Sequence, residues 1–221
     1  EMWHQQLLKL PERMDYWYGR LFTRETIERE RLGWNGEGYF SIPVWDGKPQ
    51  CSDILSVRFR AGDGQEPRYK GIHGFNESAL YNKQSIIGKE YSLIFMGELD
   101  ALLAAQDGFN ACSPTNGKDA WIHPLWTDYF SEAKRVIIIP DRDSPDKLIP
   151  KRKVSLQNLN VKEKGSREIV TEYQSALAVA DFFGRRAEIK VWNSRFVGKD
   201  YSEARENGMT AIEFSEWVGI E

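Results

Sequence analysis

Cysteine is almost missing from this chain, with Cys51 and Cys112 the only two in 221 residues. Their number and separation exclude a disulfide framework and point to a reducing cytosol. Histidine is as scarce, three residues scattered along the sequence, and leaves no ligand set for a structural zinc ion. His73 and His123 have no ligand-spaced partner and read as ordinary residues. No apolar run approaches the roughly 18 residues that a membrane span needs. No basic-then-apolar segment opens the chain as a secretion signal would. Beginning at Glu1, the chain reads as a piece cut from something longer. Neither sign of charge dominates either, and a net charge of −3 argues neither for nor against a nucleic-acid partner.

What is present is a globular composition, 41% hydrophobic and 29% charged, with length enough for a sizeable core. Charge is unevenly placed. The segment 147–164, "KLIPKRKVSLQNLNVKEK", carries +5 and leaves −8 on the remainder. It reads either as a solvated loop or as an insertion that contacts phosphates. The eight tryptophans, Trp121, Trp126 and Trp192 among them, read as packing residues before base-stacking platforms.

No internal repeat is visible, and a boundary falls near Gly88 to Glu90. Residues 1–90 open with helical stretches, in which Thr23 caps "RETIERERLG" and Gly33 is the expected stop. Two strand-like segments follow, "GYFSIPVWDG" and "ILSVRFRAGDG", each closed by a glycine turn. This predicts a small α+β module. Residues 91–221 alternate strand and helix. Strands are expected at 92–96, 109–113, 135–139 and 187–192, and helices at 99–107 and 166–183. Thr210 and Glu213 form a capping box for a last helix. Such alternation predicts a mostly parallel sheet flanked by helices.

Acids gather where these strands end. "YSLIFMGELDALLAAQDGF" places Glu98 and Asp100 after the first, "RVIIIPDRDS" places Asp141 and Asp143 after the third, and Asp200 follows the fourth in "GKDYSEARENG". Hard oxygen ligands at one sheet edge suit a magnesium site. Taken singly, Asp141 and Asp143 also suit a turn, and Asp200 suits a helix cap.

The ordered set resembles the TOPRIM domain shared by primases, topoisomerases and some nucleases. "YWYGRLFTRETIERERLGW", "YFSIPVWDGK", "RFRAGDGQEPRYKG" and "LYNKQSI" resemble, in order, the module that precedes it in bacterial and phage DNA primases. The resemblance covers roughly residues 10 to 210. It implies a primase catalytic core, a nucleotidyltransferase that makes short RNA primers from ribonucleoside triphosphates on single-stranded DNA. It also implies a Mg²⁺ or Mn²⁺ cofactor and action in a bacterial or phage-infected cytoplasm. A zinc-binding module and a replicative helicase, in cis or in trans, are the implied neighbours. Asp100, Asp141, Asp143 and Asp200 match the family's metal-site acids. Arg60, Arg68 and Lys83 match basic positions that face nucleotide and template.

The chain departs from the pattern at two positions. Met96 stands where the family's first strand ends in glutamate, and a neutral, soft thioether offers magnesium no oxygen. Ser202 replaces the second acid of the Lys-Asp-x-Asp pattern, which is expected to weaken a second metal site. A primase core disabled at Met96 is therefore the leading expectation. A non-catalytic nucleic-acid-binding module is the second, and a TOPRIM nuclease, which would lack the first module, is the third.

Overall fold

The computed structural model describes residues 1–49, 51, 53–62, 65–71, 79–115, 124–142, 172–192 and 195–220. Asp143, His73, His123, Trp121 and the segment 147–164 lie outside the described residues. Three short helices lead, α1 (Met2–Leu8), α2 (Pro11–Gly19) and α3 (Arg24–Arg29). Pro11 takes the first position of α2, where a missing N–H costs nothing. Thr23 caps α3, its hydroxyl accepting from the Thr26 N–H at 3.2 Å. Gly33 is not the stop that the sequence suggests. The helix ends at Arg29, and Gly33 opens strand β1 (Gly33–Trp34). A Cβ at 33 would lie 2.8 and 2.9 Å from the backbone of Trp3 and His4, so glycine there serves the close approach of α1.

The first sheet is antiparallel, in the order β1, β2 (Tyr39–Trp45), β3 (Ile54–Ala61), β4 (Tyr69–Gly71). Alternation sorts its two faces. Phe40, Ile42 and Val44 enter the main core, while Tyr39, Val57 and Phe59 form a small cluster with Trp3 on the other side. The register pairs Phe40 with Arg60 and Ile42 with Arg58. Both arginines therefore project from the core-facing side.

The second sheet runs β5 (Leu80–Tyr81), β7 (Ala111–Pro114), β6 (Tyr91–Phe95), β8 (Arg135–Ile139), β9 (Ala187–Ile189). Its members are parallel except β5 at the edge. Strands covered on both faces read as unbroken apolar runs. Leu93, Phe95, Ile137 and Ile139 pack in the cluster that holds side chains of α4 (Glu98–Gln106), α6 (Tyr201–Glu206) and α7 (Ala211–Val218). Ile94, Val136 and Ile138 face α5 (Glu172–Phe183). Thr210 and Glu213 close the expected capping box on α7. The expected α/β architecture is present: a small α+β part, then a mostly parallel sheet flanked by helices. None of the described helices is long and apolar enough to cross a membrane.

The two parts share a sheet and a core cluster. β5 precedes the expected boundary yet belongs to the second sheet. One core cluster contains Trp17, Phe40 and Ile42 together with Leu93, Phe95 and Leu99. At its margin the Gln106 amide accepts from the Thr23 N–H at 2.9 Å and donates to the Leu21 carbonyl at 2.8 Å. The end of α4 is thereby tied to the turn before α3.

Candidate active site

Phe95 on β6 pairs with Ile139 on β8, so the chain leaves both parallel strands side by side. Met96 follows the first and Asp141 the second. Both line a cavity of about 350 Å³, as do Asp100 from the first turn of α4 and Asp200 and Ser202 from the start of α6. Ligand sites on open parallel sheets form at such carboxyl ends. The opposite wall comes from the first part of the chain and carries Arg20, Arg58, Arg60, Arg68 and Tyr69.

Asp100 is 8% exposed. Its Oδ1 accepts from the Ser202 N–H at 2.8 Å and from the Ser202 hydroxyl at 2.6 Å. Burial, and then the negative charge of Asp200, raise its pKa from 3.8 to about 6, against the pull of those two bonds. Asp200 caps α6, its Oδ1 accepting from the Glu203 N–H at 2.9 Å, while its Oδ2 takes the Lys199 ammonium at 2.6 Å. Two carboxylates in mutual repulsion inside one cavity are the chemistry a divalent cation relieves. Among the described residues, no three His, Cys, Asp or Glu side chains stand close enough together to hold a metal ion.

Glu98, at the start of α4, is ion-paired to Arg58 with Nε–Oε1 3.1 Å, and the two side chains are 7% and 18% exposed. Burial raises the Glu98 pKa while Arg58 pulls against it. Arg60 is buried, donating from Nε to the Tyr16 hydroxyl and from Nη1 to the Tyr69 hydroxyl. Its planar fork is thus aimed by two phenols. Arg68 is exposed at the cavity rim.

Of the residues singled out in the sequence, Met96, Asp100, Asp141, Asp200, Arg60 and Arg68 line one cavity. Lys83 does not join them. Its ammonium pairs with Asp46 at 2.7 Å and donates to the Tyr129 hydroxyl at 3.2 Å, away from the cavity lining. Met96 is half-buried, its side chain packed at the edge of the α5-facing cluster. Sequence reading missed Arg58, Arg20 and Lys199. A signal existed for Arg58, which stands two residues before Arg60 on one strand and so shares its face.

The chain matches no protein-family model, and no curated protein matches it in sequence. Solved structures do match. The primase fragment of the bacteriophage T7 primase-helicase protein superposes with a TM-score of 0.63 at 17% identity, covering 91% of this chain and 72% of that one. The Escherichia coli primase catalytic core gives 0.65 at 12% identity, covering 99% and 76%. This is a primase-type fold. The RNA polymerase domain of Mycobacterium tuberculosis primase DnaG shares the primase-type fold equally, with a TM-score of 0.64 at 12% identity over 99% of this chain and 79% of that one.

Proposed function

We propose that this chain is the RNA-polymerase core of a DNA primase, a nucleotidyltransferase joining ribonucleoside triphosphates into short primers on single-stranded DNA, with its chemistry impaired at Met96. The observation that carries this reading is the meeting of acidic strand ends and an arginine wall in one cavity of a primase-type fold. A DnaG primase catalytic domain of this fold has been solved bound to single-stranded DNA. A replicative helicase, in cis or in trans, is the partner this reading implies.

Asp100 and Asp200, with Asp141 on the same lining, are the residues that would hold Mg²⁺ or Mn²⁺; Asp143, two positions later in sequence, lies outside the described residues. Magnesium is commonly held by one or two carboxylates, with water and substrate phosphate completing its shell, so the Asp100–Asp200 pair suffices. Such an ion, when bound, neutralises the triphosphate and favours attack by the primer 3′-hydroxyl. The remaining work falls to the arginines. Arg60, aimed by Tyr16 and Tyr69, and Arg68 at the rim grip phosphate oxygens of nucleotide or template. Met96 can neither take a proton nor ligate a hard cation.

Primer synthesis on single-stranded DNA by the chain as written and by Met96→Glu tests the reading. Little or no synthesis is expected from the first and measurable synthesis from the second. Robust synthesis with Met96 in place would show that another acid supplies the function. The Met96 thioether on the cavity wall also favours a second reading, a non-catalytic nucleic-acid-binding module. Single-stranded DNA binding by both forms, with synthesis by neither, would select it.

A further inference from the structure

Lys199 sits where the acidic strand ends are tied together. Its ammonium donates to Asp200 Oδ2 at 2.6 Å and to Glu203 Oε1. Its backbone N–H reaches Glu203 Oε2 at 3.1 Å, and its carbonyl accepts the Arg142 N–H at 2.5 Å, which links it to the Asp141 loop. Gly198 permits this approach. Its φ is 130°, and a Cβ there would lie 2.7 Å from the Ala204 nitrogen. The Lys199 side chain is 44% exposed against 12% for Asp200, so the ammonium is the solvent-side partner on a flexible stem.

The carboxylate oxygens are already divided. Asp100 Oδ1 takes both Ser202 donors, and Asp200 Oδ1 takes the Glu203 N–H. Among the described residues, a cation shared by the two aspartates meets no backbone donor at their Oδ2 atoms, which are its least encumbered approach. On Asp200 that is the oxygen Lys199 holds. A divalent ion and an ammonium cannot occupy one oxygen at such distances without strong repulsion.

We infer that Lys199 is a resident counter-ion: a divalent cation entering between Asp100 and Asp200 displaces its ammonium from Asp200, and the freed ammonium turns to the anionic substrate in the same cavity. The inference rests on the primase reading of the cavity. Lys199 is then a positioning residue that couples cation entry to phosphate binding. Without the cation it quenches the acids, and with the cation it becomes one more donor for a triphosphate.

Mn²⁺ binding, followed by electron paramagnetic resonance on the full chain, tests the displacement apart from activity. Lys199→Met is expected to bind Mn²⁺ about three- to tenfold tighter than the unsubstituted chain. Arg68→Met, which removes a cavity charge that does not compete for Asp200, should change affinity by less than about twofold because exposed charges are screened. The unsubstituted protein supplies a second readout that needs no variant to fold. Its Lys199 ammonium resonance in an ¹⁵N-lysine side-chain spectrum should shift as diamagnetic Mg²⁺ saturates the site. Equal affinities for the unsubstituted chain and Lys199→Met, equal gains in both variants, or saturation that leaves the resonance unmoved would each overturn displacement while the cation site stood. Absence of Mn²⁺ binding in every form would overturn it together with the primase reading of the acids.

Discussion

The Ser202 hydroxyl donates to Asp100 Oδ1 at 2.6 Å, and the Ser202 N–H adds a bond of 2.8 Å to the same oxygen, across 102 positions of sequence. Ser202, which stands where the resemblance expects an acid, thus supports Asp100. Ser202→Ala removes the hydroxyl bond and keeps the N–H. Urea melts should show a loss of about 1–2 kcal/mol, the scale for a bond to a buried charged group. The loss should be larger at pH 8 than at pH 5, because the bond is stronger to the ionised acid.

Asp100 also sets a pH dependence. Its folded-state pKa of about 6 exceeds the ordinary 3.8, so the folded chain binds this proton more tightly than the unfolded chain. The stability it contributes is full below about pH 4 and is lost as pH rises through about 6, a change of about 2–3 kcal/mol without cation. Glu98, also raised by burial, acts in the same direction. Denaturant melts between pH 4.5 and 7.5 should show a shallower fall for Asp100→Asn. Mg²⁺ at pH 7.5 should restore stability to the unsubstituted chain and not to the variant. Parallel pH curves for the two proteins would remove Asp100 from this role.

The Arg58–Glu98 pair offers a different test. Arg58→Leu strands a buried carboxylate and should destabilise by about 3 kcal/mol. Arg58→Leu combined with Glu98→Leu should recover most of that loss, because no buried charge is then left alone. Chemical denaturation of the two singles and the double closes the cycle, and additive losses would show that the ion pair is not coupled.

Met96→Glu should reverse the balance between rest and function. A carboxylate beside Asp100 and Asp141 adds like charge, and the cation-free variant should be less stable by roughly 0.5–2 kcal/mol, the ordinary scale for one substitution. Mg²⁺ should invert the order, because an ion that binds only the folded state stabilises it by mass action. Melts with and without Mg²⁺ decide both halves. The same sign of difference under both conditions would mean that position 96 does not touch the cation.

The parallel strands were legible because sheets covered on both faces leave long apolar runs, here Leu93–Phe95 and Val136–Ile139, each followed by acids. Local chemistry sufficed for Thr23 and for the Thr210–Glu213 box. Arg58 was not legible as a half-buried, ion-paired group. The alternation Val57, Arg58, Phe59, Arg60 reads as a strand with a solvated charged face, whereas here that face turns inward to meet Glu98, 40 positions away. Lys83 has the same difficulty in reverse, since its partner Asp46 is 37 positions distant and no periodicity announces it. Gly33 misled because one residue type serves both helix ends and close backbone approach, and only the path of α1 distinguishes them.

The core that runs from Trp17 and Phe40 to Leu93 and Leu99 has a mechanical consequence. Among the described residues, the arginine wall and the acid wall are backed by one continuous apolar core. Either half expressed alone would expose the apolar side that the other covers. Exchange of one half with a distant relative would meet the same obstacle, because side chains on both sides of that core must interlock. The spacing of the two walls is thus a property of how that shared core packs.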